Sequence, residues 1–157
     1  MPIKGRSLKK VARKFWRALP AGARKRLVRV WQDRFTASVA AIVRNGDGKI
    51  LLLNHVLRPY SGWGFPGGFI DHGEQAEDAI RRELDEETGV MLYDLELFRV
   101  RIVGTHVEIL YTARTKDTAY VNSGEIIELG WFAADELPKD LSKAQAALIR
   151  EILETDG

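Results

Sequence analysis

At Phe35 the apolar spacing of this chain changes from a helical to a strand period, and the sign of its charge changes with it. Residues 1–34 carry twelve Lys or Arg against one acid, Asp33, for a net +11, whereas the remaining 123 residues carry twelve bases and twenty-one acids, for −9. The modest overall charge of +2 hides two bodies of opposite sign. The expected organisation is a basic helical arm over 1–34 and an acidic domain over 35–157. In the arm, Leu8, Val11, Ala12, Phe15, Trp16 and Leu19 form one apolar stripe, with Lys9, Lys10, Arg13, Lys14 and Arg17 mostly around it. Pro20 interrupts the pattern, and a second short helix is expected through Leu27, Val28, Val30 and Trp31, giving a helical hairpin or elbow.

Beyond Phe35, Ser38–Val43 and Ile50–Leu53 flank the turn Asn45-Gly-Asp-Gly48 and predict a β-hairpin. The Gly- and Pro-rich stretch 59–68 predicts a structured loop or short edge strand. A helix is expected from about Gln75 to Thr88, with Glu74, Glu77 and Asp78 near its positive end and Gly89 as its cap. Strands follow over 95–103, 108–111 and 126–132, then a helix over 142–153. This order predicts an α/β domain with a mixed sheet between helices. Hydrophobic residues at 45% are enough for a real core. With no cysteine, disulfides and thiolate metal sites are excluded, and a reducing cytoplasmic setting is expected. No run of eighteen apolar residues predicts a membrane span, and the basic N-terminus lacks the apolar segment of a secretory signal.

Chemistry concentrates on the central helix. Glu83, Glu86 and Glu87 fall within an arc of about 100° on one helical face. Like charges at these spacings disfavour a helix by roughly 0.2–0.5 kcal/mol per pair. Positions 87, 90 and 91, where a relieving base is expected, hold Glu, Val and Met. A solvated acidic face and a site for a hard cation such as Mg²⁺, which prefers oxygen ligands, both fit these three residues. Just upstream, Gly67-Gly68 allows a backbone to approach a ligand closely.

The whole string is Gly68-x5-Glu74-x7-Arg82-Glu83-Leu84-x-Glu86-Glu87-x-Gly89-Val90, led in by Trp63-Gly-Phe-Pro-Gly-Gly68. It resembles the box of the Nudix hydrolase family at every specified position. Seven fixed residues at a background near ~6% each would match by chance in roughly 10⁻⁹ of windows. The resemblance extends in broad pattern from Phe35 to Pro138 and leaves out the arm. It implies an α/β/α sandwich in which the box forms a loop–helix–loop and binds Mg²⁺, or Mn²⁺ in its place, against a diphosphate. Glu83, Glu86 and Glu87 match the metal carboxylates, with the Gly67 carbonyl as a further ligand. Arg82 matches an arginine that holds a neighbouring glutamate, and Glu74 one that shapes the loop. Members often take another acid from a later loop; Glu125 and Glu128 are the candidates here, Glu125 preferred because it precedes the strand. Either Glu83 or Glu125 is then the general base. Arg58, Trp63 and Gly68 are expected to contact substrate, and His55 and His72 lie near in sequence.

The box implies the bond cleaved and not what flanks it. No proline occurs between Val90 and Pro138, so a marker found in many ADP-ribose hydrolases is missing, and the NADH and coenzyme A signatures are not visible. The expected substrate is a nucleoside diphosphate linked to another moiety, such as ADP-ribose or a nucleotide sugar. Alternatives are a nucleoside triphosphate, an RNA 5′ end recruited by the arm, or a non-catalytic Nudix-fold binding module. Phe35, Tyr60, Trp63, Phe98 and Tyr111 are candidates for stacking on a base. For the arm, packing on the domain or on a second subunit in a homodimer, contact with nucleic acid, and contact with an anionic membrane all suit its composition.

Overall fold

The computed structural model describes residues 4–31, 34–57 and 62–155. It divides into two compact units, Met1–Phe35 and Thr36–Gly157. The first holds helices α1 (Lys4–Ala18) and α2 (Ala21–Trp31). Leu19 N–H still donates to Phe15 O, and Pro20, which has no N–H of its own, accepts from Arg24 N–H as α2 begins. Trp16 of α1 and Leu27, Val28 and Trp31 of α2 line a groove between the two helices.

The second unit contains β1 (Thr36–Arg44), β2 (Ile50–His55), β3 (Trp63–Gly64), α3 (Ala76–Thr88), β4 (Tyr93–Val103), β5 (His106–Arg114), β6 (Ile126–Phe132) and α4 (Lys143–Thr155). The β1–β2 turn is closed by the Asn45 side chain, which accepts from the backbone N–H groups of Asp47 and Lys49 at 3.0 and 2.9 Å. These two strands pair at Arg44 and Ile50 and then part. On its far edge, β1 runs parallel to β5 from Thr36–His106 to Arg44–Arg114, and β4 pairs antiparallel with β5. β2 pairs antiparallel with β6 on one edge and with β3 at Leu53 and Asn54. The chain after β3 crosses to the open edge of β1. There Ala41 N–H donates to Pro66 O, Val39 N–H to Gly68 O, and Ile70 N–H to Ala37 O. Residues 63–70 thus fill the wedge between β1 and β2, and the double glycine is stitched into the sheet.

The sheet is mixed, with a helix on each face. Val39, Ala41, Val43, Leu51 and Leu53 point toward α3 and its Ala79, Ile80 and Leu84. Ala40, Ile42, Ile50, Leu52 and Leu110 point toward α4 and its Leu148, Ile149 and Ile152. Burial on both faces explains why β1 and β2 read as continuous apolar runs rather than alternating ones. β5 extends well beyond the expected span 108–111, to His106 and Arg114, because β1 and β4 both pair with it along that length. Among the described residues no helix is long and apolar enough to cross a membrane.

Candidate metal and phosphate site on helix α3

α3 starts without a side-chain cap at Gln75; Glu77 and Asp78 in its first turn offset this by facing the positive end of the helix dipole. It ends where Gly89, at φ 68°, donates its N–H to Asp85 O. Because Ala79, Ile80, Leu84 and Thr88 face the sheet, Glu83 and Glu87 lie at the margin of the buried face, toward the 66–70 segment. Glu87 is only 6% exposed. Its Oε2 accepts the Gly67 N–H at 3.0 Å, and its Oε1 lies 3.7 Å from His55 Nδ1. Gly67 has φ 141°, and a Cβ there would stand 2.2 Å from Val39 O. A Cβ on Gly68 would stand 2.4–2.6 Å from the Glu83 carboxylate. Each glycine therefore makes room for something different: the first for the sheet backbone, the second for a glutamate.

Arg82 organises the acids around it. It donates from Nε and Nη2 to the two carboxylate oxygens of Glu74, at 2.8 and 3.0 Å, in a bidentate pair. Nη1 donates to Glu83 Oε1 at 2.8 Å and to Glu86 Oε2 at 3.3 Å, and Nη2 to Phe69 O at 3.2 Å. The acidic face is thus not without a base, as the downstream positions suggested. The base lies upstream, one residue before Glu83 and four before Glu86. Hydrogen bonding to Arg82, helped by the Asp71 N–H, holds the Glu74 carboxyl down at about 2. The same Glu74 bonds hold the Arg82 guanidinium well above its usual value. Glu83 goes the other way. Burial pushes its carboxyl up, Arg82 opposes that, and the Glu86 and Glu125 carboxylates push it further up.

The Glu125 charge is thus felt at Glu83. The residue follows a segment tied to the end of α3: Tyr120 N–H donates to Thr88 O, Asn122 N–H to Glu87 O, and Asn122 Nδ2 to Asp85 O. Glu128, the other candidate, accepts from Asn54 Nδ2 at 3.0 Å across the β2–β6 pair. His55 is at the site through Glu87. Trp63 packs edge-on against Phe132, at 5.1 Å between ring centroids, beside the α4-side core. Arg58 and Tyr60 lie outside the described residues. Tyr111 is buried in the α3-side core, and the Phe98 ring lies under the Arg99 guanidinium.

An aromatic that sequence reasoning passed over stands next to the site. Phe69 follows Gly68, is 64% exposed, and meets the His106 ring edge-on at 5.9 Å. Both His106 ring nitrogens are hydrogen-bonded to hydroxyls, Nδ1 to Thr36 at 2.7 Å and Nε2 to Ser38 at 2.8 Å. Only the parallel pairing of β1 with β5, a contact 70 residues apart in sequence, assembles this group. The one sequence signal was an apolar ring placed directly after the double glycine.

Among the described residues no three acids or histidines stand close enough together to form a closed metal cage. The side chains gathered around Arg82 and Gly67, namely Glu74, Glu83, Glu86 and Glu87, offer carboxylate oxygens. They fit a cation that keeps much of its water and shares phosphate oxygens, as Mg²⁺ does, rather than one needing a complete protein shell.

The architecture is thus an α/β/α sandwich in which a double-glycine loop stitched into a mixed sheet faces a glutamate-rich helix. The chain belongs to the Nudix family: the NUDIX domain family model matches residues 34–154. A MutT NUDIX hydrolase from Burkholderia pseudomallei has a similar structure, with TM-score 0.67 and 31% identity over 76% of this chain and 99% of that one. An RNA pyrophosphohydrolase of Teredinibacter turnerae is 38% identical over 68 residues, 43% of this chain and 39% of that protein. An ADP-ribose pyrophosphatase of Methanocaldococcus jannaschii is 46% identical over 46 residues, 29% of this chain and 27% of that protein. The matches to these last two span well under half of either relative.

Proposed function

We propose that the protein hydrolyses a diphosphate linkage in a nucleoside diphosphate joined to a second moiety, of the ADP-ribose or nucleotide-sugar type. In this reading Glu83, Glu86, Glu87 and the Gly67 carbonyl hold Mg²⁺, with Mn²⁺ able to replace it. The observation that carries the reading is the placement of Glu83. Its half-buried carboxylate sits against the Gly68 backbone, between Arg82 and two further acids, with its proton affinity raised. A bound divalent cation would screen the charge of the diphosphate and help to orient a water. The chain itself supplies the proton acceptor. As water oxygen bonds to one phosphorus and the bond to the bridging oxygen breaks, the bridging oxygen leaves with the other phosphate and the water's proton passes to a carboxylate of the cluster, Glu83 in the first instance. Glu125 is the second candidate for that proton and raises the affinity of the first. Arg82 positions Glu83 and Glu86 while Glu74 fixes Arg82. Phe69 offers a face for a base or sugar beside Gly68.

The similar proteins support a shared bond and not a shared flank, since two of them are named as an RNA pyrophosphohydrolase and an ADP-ribose pyrophosphatase. The discriminating experiment offers ADP-ribose, nucleotide sugars, nucleoside triphosphates and 5′-triphosphorylated RNA with Mg²⁺, and then with EDTA. Mg²⁺-dependent release of two monophosphates from the first two classes is expected. Preferential turnover of triphosphates or RNA would replace the substrate reading. Binding without turnover of anything in the panel would replace catalysis with a binding role.

A further inference from the structure

The arm carries a feature the hydrolytic site does not use. At 100° per residue, Val11, Ala12, Phe15, Trp16 and Ala18 of α1 occupy an arc of about 160°, while Lys9, Lys10, Arg13, Lys14 and Arg17 occupy the opposite ~140°; Lys4, at the start of the helix, alone falls inside the apolar arc. In α2, Leu27, Val28, Val30 and Trp31 form a similar side opposite Lys25 and Arg26; Arg24 alone falls inside the apolar arc. Trp16, Leu27 and Val28 meet in the groove between the helices, yet much of the apolar surface stays open: Phe15 is 71%, Val30 81% and Trp31 89% exposed. The whole arm has one acid, Asp33, against twelve bases.

We propose that this hairpin is an interfacial anchor for an anionic lipid surface. Its apolar arcs would enter the boundary between headgroups and acyl chains, with Trp and Phe at that depth and the flanking Lys and Arg reaching lipid phosphates. Charge complementarity favours this occupant. A second copy of the chain docked arm to arm would set +11 against +11. An RNA would satisfy the bases through its phosphates and leave Val11, Val30 and Phe15 in water. A surface that is anionic outside and apolar just beneath meets both halves of each helix. The domain, at −9, would be repelled by the same lipids, so attachment rests on the arm alone.

The test is sedimentation of the full chain with vesicles of phosphatidylcholine containing about 30 mol% phosphatidylglycerol, and with phosphatidylcholine alone. The expected result is partitioning at least roughly tenfold stronger on the anionic vesicles, weakening as salt rises from about 0.1 M to about 0.5 M. The double variant Phe15→Ser, Trp31→Ser keeps every charge and should lose about tenfold in partitioning. Lys14→Glu, Arg17→Glu keeps the apolar arc and should lose at least as much. Circular dichroism and gel filtration establish that both variants remain folded. The proposal is overturned if the chain stays in the supernatant with anionic vesicles. It is equally overturned if Phe15→Ser, Trp31→Ser binds them as wild type does. Displacement of the chain from vesicles by single-stranded RNA, with RNA binding indifferent to the apolar double variant, would assign the arm to nucleic acid instead.

Discussion

Gly67 and Gly68 are neighbours, and their substitution should fail in different ways. Alanine at 67 would place a methyl 2.2 Å from the Val39 carbonyl oxygen at φ 141°, with only backbone to give way. A loss of about 2–4 kcal/mol in denaturant unfolding is expected for Gly67→Ala, from backbone strain plus overpacking. Alanine at 68 meets the far end of the Glu83 side chain, which can swing aside. Gly68→Ala should therefore unfold within about 1 kcal/mol of wild type while kcat falls roughly 10²-fold, because the displaced carboxylate is the proposed base. Glu87→Gln isolates charge from geometry, since the amide oxygen can still accept the Gly67 N–H at 3.0 Å. It should retain stability and lose roughly 10²–10⁴ in kcat. Near-full activity in steady-state assays would remove Glu87 from the metal site.

At the scale of the element, α3 owes its form to packing and its charge pattern to Arg82. The Glu74 carboxyl lies at about 2 in the folded protein against an ordinary 4.5. A carboxyl lowered by folding stabilises the native state at pH values above its unfolded value, and that contribution is lost as pH falls from about 4.5 through about 2. Acid unfolding of Glu74→Gln should therefore lack this part of the wild-type decline, and the two curves should converge toward pH 2; curves parallel from pH 7 to 2 would show that the pair contributes nothing. How much of this was legible depended on the range of the interactions. α3, its Gly89 cap and the three clustered glutamates were readable because helical spacing is local. The β1–β2 hairpin was readable because Asn45-Gly46 announces its own turn. The wedge between β1 and β2 was not, because it depends on where Gly68 O meets Val39 N–H, 29 residues apart. The Asn54–Glu128 bond and the Asn122 bonds that tie the segment before Glu125 to the end of α3 were not legible either, because both join distant parts of the chain. The His106 pairings with Thr36 and Ser38 were hidden for the same reason, since a parallel register has no signature in either strand alone.

For the whole molecule, the metal should be visible in stability before any substrate is found. α3 contributes Ala79, Ile80 and Leu84 to the main core, so an ion held on its outer margin is coupled to the unfolding of the domain rather than to a loop. A ligand that binds only the native state adds RT ln(1 + [L]/Kd), about 2.7 kcal/mol at one hundred times its Kd. For a domain of this size that corresponds to a rise of roughly 5–10 °C in Tm. Magnesium chloride should produce such a rise, EDTA should reverse it, and sodium chloride at matched ionic strength should not reproduce it. The last control matters because the domain's net −9 attracts any cation diffusely, and diffuse screening does not distinguish one glutamate from another. Glu87→Gln should abolish the shift, whereas Glu128→Gln, whose acid is engaged by Asn54, should leave it intact. Equal shifts in both variants would mean that the ion is held by the general field of the domain. The α3 carboxylates would then have no metal of their own, and the proposed hydrolysis would lose its cofactor.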